Sequence, residues 1–130
     1  MLLKKPLPDM MVDDVNATVA FYRDVLGFDL VMTVPDRGRL DWALLRRGGA
    51  EVLFQDRQRL ADELPVFAER PVGGALTFYF NLDGIDGLYE QVRGRLPLVQ
   101  DLRPTFYGTR EFSVQDNNGF ILTFAEDGVE

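Results

Sequence analysis

Seven residue pairs recur in this chain at one spacing. Val15, Val19, Tyr22 and Leu26 return as Ile85, Tyr89, Val92 and Leu96, each shifted by 70. Asp13 returns as Asp83, Gly49 as Gly119 and Phe54 as Phe124 by the same shift. The matched residues fall in matched element types, so the chain reads as one module duplicated.

The elements of that module follow from periodicity and punctuation. Lys4 to Val12 reads as an extended segment, with Pro6 and Pro8 confining it to an edge or a strand start. Asp13 and Asp14 read as a turn or N-cap pair. The spacing Val15, Val19, Tyr22, Leu26 predicts a helix, and Gly27 ends it. Strands follow over Phe28 to Val34, Leu40 to Arg46 and Glu51 to Gln55, separated by Pro35–Gly38 and by Gly48-Gly49. Asp56 to Pro71 is polar and reads as a connection, with a short helix over Leu60 to Glu69.

The second copy begins with a strand over Ala75 to Leu82. A helix carrying Ile85, Tyr89, Val92 and Leu96 on one face comes next, then a strand over Leu98 to Leu102. A hairpin closes the chain: Phe112 and Val114 alternate with Glu111, Ser113 and Gln115, the turn is Asp116-Asn-Asn-Gly119, and Phe120 to Phe124 returns. The expected fold is α+β, two tandem βαβββ modules over about residues 1–56 and 73–130 with a connection at 57–72. A four-stranded sheet of this kind buries one face under its helix, so the two open faces are expected to curve around a cleft.

Apolar residues make up 46% and charged residues 27%, the balance of an ordinary globular chain. No stretch of about 18 apolar residues occurs, so no membrane span is expected. Met-Leu-Leu-Lys-Lys followed by Pro6 does not make a leader, and a cytoplasmic protein is expected. The net charge of −7 opposes phosphate backbones and excludes nucleic acid as a partner. It suits a cationic ligand, and it equally serves solubility. The chain has no cysteine and no histidine. That removes disulfides, thiolate sites, the commonest general base and the commonest transition-metal ligand.

Two stretches carry a family resemblance: Val12-Asp-Asp-Val-x-x-Thr-Val-Ala-Phe-Tyr-Arg-Asp-Val-Leu-Gly-Phe28 and Gly108-x-Arg-Glu-Phe-x-Val-x-Asp-x-x-Gly119. They resemble the glyoxalase, bleomycin-resistance and extradiol-dioxygenase superfamily, the vicinal oxygen chelate proteins. The bleomycin-resistance proteins are the nearest likeness, through Pro8 six residues before Asp14 and the aromatic-Gly-x-Arg-Glu-Phe run. Asn117 departs from the family's proline after the turn aspartate. The resemblance implies a homodimer with exchanged N-terminal strands, and four metal positions on the first and last strands of the modules. Carried over by motif spacing, those positions are Leu7, Leu53, Thr77 and Thr123. Two leucines and two threonines do not hold a divalent ion, so no metal and no cofactor is expected.

Strand parity then gives the expected lining, because residues two apart share a face. Leu7 brings Asp9 and Met11; Leu53 brings Glu51 and Gln55; Thr77 brings Tyr79; Thr123 brings Ile121. Glu111 and Ser113 join them, and a shift of 70 adds Asp41, Ala43 and Leu45. Phe106 and Tyr107 supply a wall or lid. The ligand-binding set is thus Asp9, Met11, Asp41, Glu51, Leu53, Thr77, Tyr79, Phe106, Tyr107, Glu111, Ser113 and Thr123. Trp42, Phe78, Phe80, Phe112 and Phe124 are expected in the cores.

Carboxylates beside aromatic rings suit a cationic or planar organic ligand, unless Arg39, Arg46 and Arg110 pair with them. The expected function is metal-free sequestration of such a small molecule. Two alternatives stay open: a metal-independent isomerase, hydrolase or cyclase using Glu51 and Glu111 for proton transfer, and an interaction domain whose ligand site is lost.

Overall fold

The computed structural model describes residues 1–128, in which the chain forms two compact units, Met1–Val72 and a second that begins at Gly73. Each is an α+β module with one four-stranded sheet.

In the first unit, β1 (Asp9–Val12) is followed by α1 (Val15–Asp24), β2 (Asp29–Val34), β3 (Trp42–Arg47) and β4 (Ala50–Asp56). The sheet order is β1-β4-β3-β2, with β1 parallel to β4 and the other pairs antiparallel. Asp14 starts α1 because its Oδ1 accepts from the Ala17 amide at 3.0 Å. Gly27, at φ 71°, ends it in a conformation that costs glycine little. The Gly27 and Phe28 amides then donate back to the Arg23 and Tyr22 carbonyls.

The predicted face of α1 is the buried one: Val15, Val19, Tyr22 and Leu26 are at most 5% exposed. Tyr22 packs its ring 4.7 Å from Phe54 and 5.4 Å from Phe28. Ala43, Leu45, Val52 and Phe54 complete this core.

The connecting helix differs from the expected Leu60 to Glu69. It is α2 (Arg57–Glu63), followed by a 3-10 turn at Pro65–Phe67. Asp56 starts it early by accepting from the Gln58 and Arg59 amides at 3.1 and 3.2 Å. Leu64 and Pro65 end it. It packs on β1 and β4.

The second unit runs β5 (Thr77–Asn81), α3 (Ile85–Val92), β6 (Leu98–Pro104), β7 (Thr109–Gln115) and β8 (Ile121–Asp127), in sheet order β5-β8-β7-β6. The cap of α3 does not come from Asp83. Glu126 on β8 accepts from the Gly84 and Ile85 amides at 2.6 and 2.8 Å. Leu96 lies beyond the end of α3 but is buried with its face. Phe112, Val114, Leu122 and Phe124 form the core against Ile85 and Val92. Phe78 and Phe80, expected in that core, are half-buried; Phe80 stacks on Phe124 at 5.3 Å.

The shift of 70 fails in one place. Trp42 pairs with Gln55 and Ala43 with Phe54, whereas Glu111 pairs with Ala125 and Phe112 with Phe124. Relative to the matching strand β4 or β8, β3 therefore corresponds to β7 at a shift of 69. The cause is the turn. Arg47 pairs directly with Ala50 across Gly48-Gly49, while Asp116 bonds Phe120 across Asn117-Asn118-Gly119. One extra residue in the second turn moves every side chain of the strand to the other face of the inferred register.

Candidate functional site

Glu111 is the best-defined polar group on the open face of the second sheet. It is 5% exposed, in the middle of that face. Its Oε2 accepts three hydroxyls: Tyr79 at 2.5 Å, Thr109 at 2.8 Å and Tyr107 at 2.9 Å. The elements explain the convergence. Thr109 lies two residues before Glu111 on the same strand, so their side chains share a face. Tyr107 stands in the β6–β7 turn. Tyr79 stands on β5, two strands away, and Glu111 reaches it past Ala125, its small neighbour on β8. Behind Thr109, the Thr105 hydroxyl lies 2.7 Å from the Thr109 hydroxyl.

The electrostatics follow from these donors. Burial pushes the Glu111 carboxyl up, but the Tyr79, Thr109 and Tyr107 hydroxyls and the charge of Arg103 outweigh it, and its pKa ends below the ordinary value. The same bonds raise both phenols. Tyr79, through its bond to Glu111 first and its burial second, is pushed up to about 12. Tyr107 moves in the same direction for the same reasons. Near neutral pH the cluster is one carboxylate held by neutral hydroxyls.

A second group of hydroxyls lies beside it. Thr77 and Thr123 hydrogen-bond each other at 2.7 Å, and Ser113 bonds Thr123 at 2.8 Å. These two threonines stand at the positions where the superfamily resemblance places metal ligands. Their oxygens are neutral and engaged with one another, and Leu7 and Leu53 carry no donor atom. The residues present do not fit a divalent ion, which wants imidazole or carboxylate. Among the described residues, no group of three or more acidic side chains is placed to hold a metal.

The first sheet presents a different open face. Register puts Asp9, Met11, Glu51, Leu53 and Gln55 on it, as expected, together with Trp42 and Leu44. Trp42 was expected in the core. The one-residue slip instead puts Ala43 and Leu45, both 0% exposed, in the core. Asp41 does not join the open face either. It precedes β3, its carbonyl accepts from the Asp56 amide, and its carboxylate lies 3.4 Å from Arg59. Met11 is on the expected face but only 7% exposed, under the side of the sheet on which α2 packs.

The expected acidic field is largely cancelled on this module. Glu51 pairs with Arg46 at 2.8 Å and Lys5 at 3.0 Å, and these cations hold its carboxyl below the usual value. Arg39 pairs with Asp56. Asp9 is the exception: partial desolvation, then the negative charge of Glu63, raises it. Glu63 itself accepts from Gln55 at 3.3 Å. Arg110 pairs with Asp86 at 2.8 Å, outside the expected set of carboxylates.

Phe106 is fully exposed and packs edge-on against Tyr107, with ring centroids 5.0 Å apart. A depression of about 330 Å³ lies elsewhere on the first unit, at the start of α1, between Asp13, Asp14, Gly38, Arg39 and Asp56. Its carboxylates are already employed: Asp14 and Asp56 cap α1 and α2, and Asp13 pairs with Arg57.

Residues 7–124 match the family model described as Glyoxalase/Bleomycin resistance protein/Dioxygenase superfamily. A bleomycin resistance protein of Geobacillus stearothermophilus is 26% identical over 122 residues, covering 91% of this chain and 92% of that one. A crystal structure of a protein of unknown function from Agrobacterium tumefaciens superposes with a TM-score of 0.80 at 21% identity, covering 98% of this chain and 96% of that one. The bleomycin-binding protein of Streptomyces verticillus, in complex with copper(II)-bleomycin, superposes with a TM-score of 0.63 at 22% identity, covering 95% and 96%. These structural likenesses speak to the fold.

Proposed function

The chain belongs to the glyoxalase/bleomycin resistance protein/dioxygenase superfamily, and on that premise we propose that it binds a small organic molecule without metal and without transforming it. The recognition surface is the open face of the second sheet. The ligand presents a cationic or hydrogen-bond-donating nitrogen and a planar group. The observation that carries this reading is Glu111, whose Oε2 is filled by three hydroxyls while none of the described hydrogen bonds uses Oε1. A buried carboxylate fixed in orientation, with one oxygen left over, is a preorganised acceptor. Tyr79 and Tyr107, about half exposed, and Phe106 offer ring faces beside it.

Binding is favoured over acid–base chemistry by the same cluster. A general base works best with its pKa near the working pH. Here the hydroxyls hold Glu111 on the acid side, and Glu111 holds both phenols on the alkaline side. Glu51 is tied to two cations.

By likeness to the bleomycin-resistance relatives, the proposed assembly is a homodimer with exchanged N-terminal strands, and the proposed compartment is the cytoplasm. The test is a thermal-shift titration with bleomycin, copper-free and copper-loaded, on the wild type and on Glu111→Gln. A ligand that binds only the folded state raises the melting temperature. A rise in the wild type that shrinks in Glu111→Gln is expected. No rise in the wild type removes this antibiotic, and an equal rise in both proteins removes Glu111 as the anchor.

A further inference from the structure

Arg103 stands directly across from Glu111. The two are Cα partners in the antiparallel β6–β7 pair, so their side chains leave the sheet on one face. An arginine and a glutamate so placed ordinarily close into an ion pair. These do not: Arg103 is exposed, and neither an ion pair nor a hydrogen bond of its side chain is found among the described residues. The Tyr79 hydroxyl on β5 draws the Glu111 carboxylate past Ala125, away from β6, and the Thr109 and Tyr107 hydroxyls fix the same oxygen. Arg103 still lies close enough for its charge to help lower the Glu111 carboxyl and to offset part of the rise of the Tyr107 phenol.

We propose that Glu111 and Arg103 form a two-point receptor for a zwitterionic headgroup of the α-amino-acid type. This rests on the reading of Glu111 as the ligand's anchor. Glu111 Oε1 accepts from the ligand ammonium, and the Arg103 guanidinium donates to the ligand carboxylate. A guanidinium and a carboxylate kept apart by their own protein cannot neutralise each other, and a ligand with both charges on adjacent carbons satisfies both. A simple cation uses only Glu111 and meets the repulsion of Arg103. A simple anion uses only Arg103 and meets the repulsion of Glu111. The receptor therefore selects by charge pattern rather than by net charge. The side chain of such a ligand would meet the rings of Tyr79, Tyr107 and Phe106.

Three probes on one skeleton separate these cases: L-phenylalanine, L-phenylalaninamide as the cation, and N-acetyl-L-phenylalanine as the anion. Each is titrated into the full chain by amide NMR, which reports folding and affinity together. Phenylalanine is expected to bind about tenfold tighter than either, the step that one charge-assisted pair worth about 1.4 kcal/mol supplies. Arg103→Gln should abolish that preference and leave phenylalaninamide unweakened; Arg103→Lys should keep part of it. Two results overturn the proposal: phenylalaninamide binding the wild type as tightly as phenylalanine, or a preference that survives Arg103→Gln. In either case, loss of phenylalaninamide binding in Glu111→Gln would leave the Glu111 anchor standing. If Glu111→Gln changes none of the three, or if no probe binds, the two-point receptor falls with it.

Discussion

Trp42 occupies in the first module the place that Glu111 occupies in the second. Each is the strand residue one position before the fully buried one, Ala43 or Phe112, that pairs with Phe54 or Phe124. One duplicated position has thus become an indole on one open face and a hydroxyl-bound carboxylate on the other. Trp42 is the single tryptophan of the chain, so its emission reports this face alone. It is expected to be readily quenched by acrylamide in the folded protein. Trp42→Phe is expected to cost under about 1.5 kcal/mol, whereas Phe112→Ala removes a fully buried ring and costs about 3–5 kcal/mol. A tryptophan as protected as a core residue would contradict its half-buried placement.

Acid should weaken the fold through Glu111 in a defined window. Its folded pKa lies below the ordinary value of 4.5. Its contribution is therefore complete above pH 4.5 and is lost as pH falls through the lower folded value. Urea unfolding between about pH 3 and pH 6 should show a flatter pH dependence in Glu111→Gln than in the wild type. Tyr79→Phe removes one of the three donors and should move the wild-type window upward. An unchanged slope in Glu111→Gln would mean that the carboxylate is not held as described.

Tyr79 makes the opposite prediction at the alkaline end. Its folded pKa is raised from 10.0 to about 12, chiefly by its bond to Glu111. Its contribution is therefore present below pH 10 and lost as pH rises toward 12. Ultraviolet titration of the phenols should show a late-titrating tyrosine in the wild type. Glu111→Gln should bring that tyrosine back toward 10. A wild type with no late phenol would exclude the short Tyr79–Glu111 bond.

The Thr77–Thr123–Ser113 hydroxyls predict a non-additive pair of mutants. Thr123→Val leaves Thr77 and Ser113 without their partner and should cost about 0.5–1.5 kcal/mol, since Thr77 is exposed and Ser113 half-buried. Adding Thr77→Val removes one of the stranded groups and should recover part of that loss, a coupling readable in a double-mutant cycle. Prolonged EDTA dialysis should leave the melting temperature unchanged, because these hydroxyls satisfy one another without an ion. A melting temperature that falls on chelation and returns with zinc would overturn the donor-set argument.

Most of the architecture was legible because it rests on short-range rules. The helix face Val15, Val19, Tyr22, Leu26 is a periodicity, and the Asp116–Gly119 turn is local chemistry. In that turn Asp116 Oδ1 accepts from the Asn118 and Phe120 amides at 2.8 Å. The faces of β7 and β8 were readable for the same reason. The face of β3 was not, because a repeat at constant spacing hides a one-residue difference in turn length, and parity inverts on a single residue. Asp41 and Trp42 were exchanged between faces by that slip. The pairing of Tyr79 with Glu111 joins residues 32 apart. It depends on Ala125 being small enough to let Glu111 pass, which no local pattern announces. Arg103 escaped notice because β6 carries two irregularities, one of them immediately before it.

The N-terminal strand gives the last prediction. β1 pairs in parallel with β4, with Asp9 opposite Leu53. The Pro8 carbonyl accepts from the Leu53 amide at 2.8 Å, and Lys5 reaches Glu51. Strand exchange in the proposed homodimer would keep every one of these contacts but make them between chains. The chain has no native cysteine, so Asp9→Cys with Leu53→Cys introduces a single possible disulfide. Directly paired strand residues are close enough for that bond. With exchange, oxidation should link two chains, and a dimer should appear on a non-reducing gel at concentrations where each single mutant stays monomeric there. Without exchange, the bond closes within one chain, and only a faster-running monomer appears. A dimer by light scattering that yields only the internal disulfide would keep the assembly and exclude the exchanged arm.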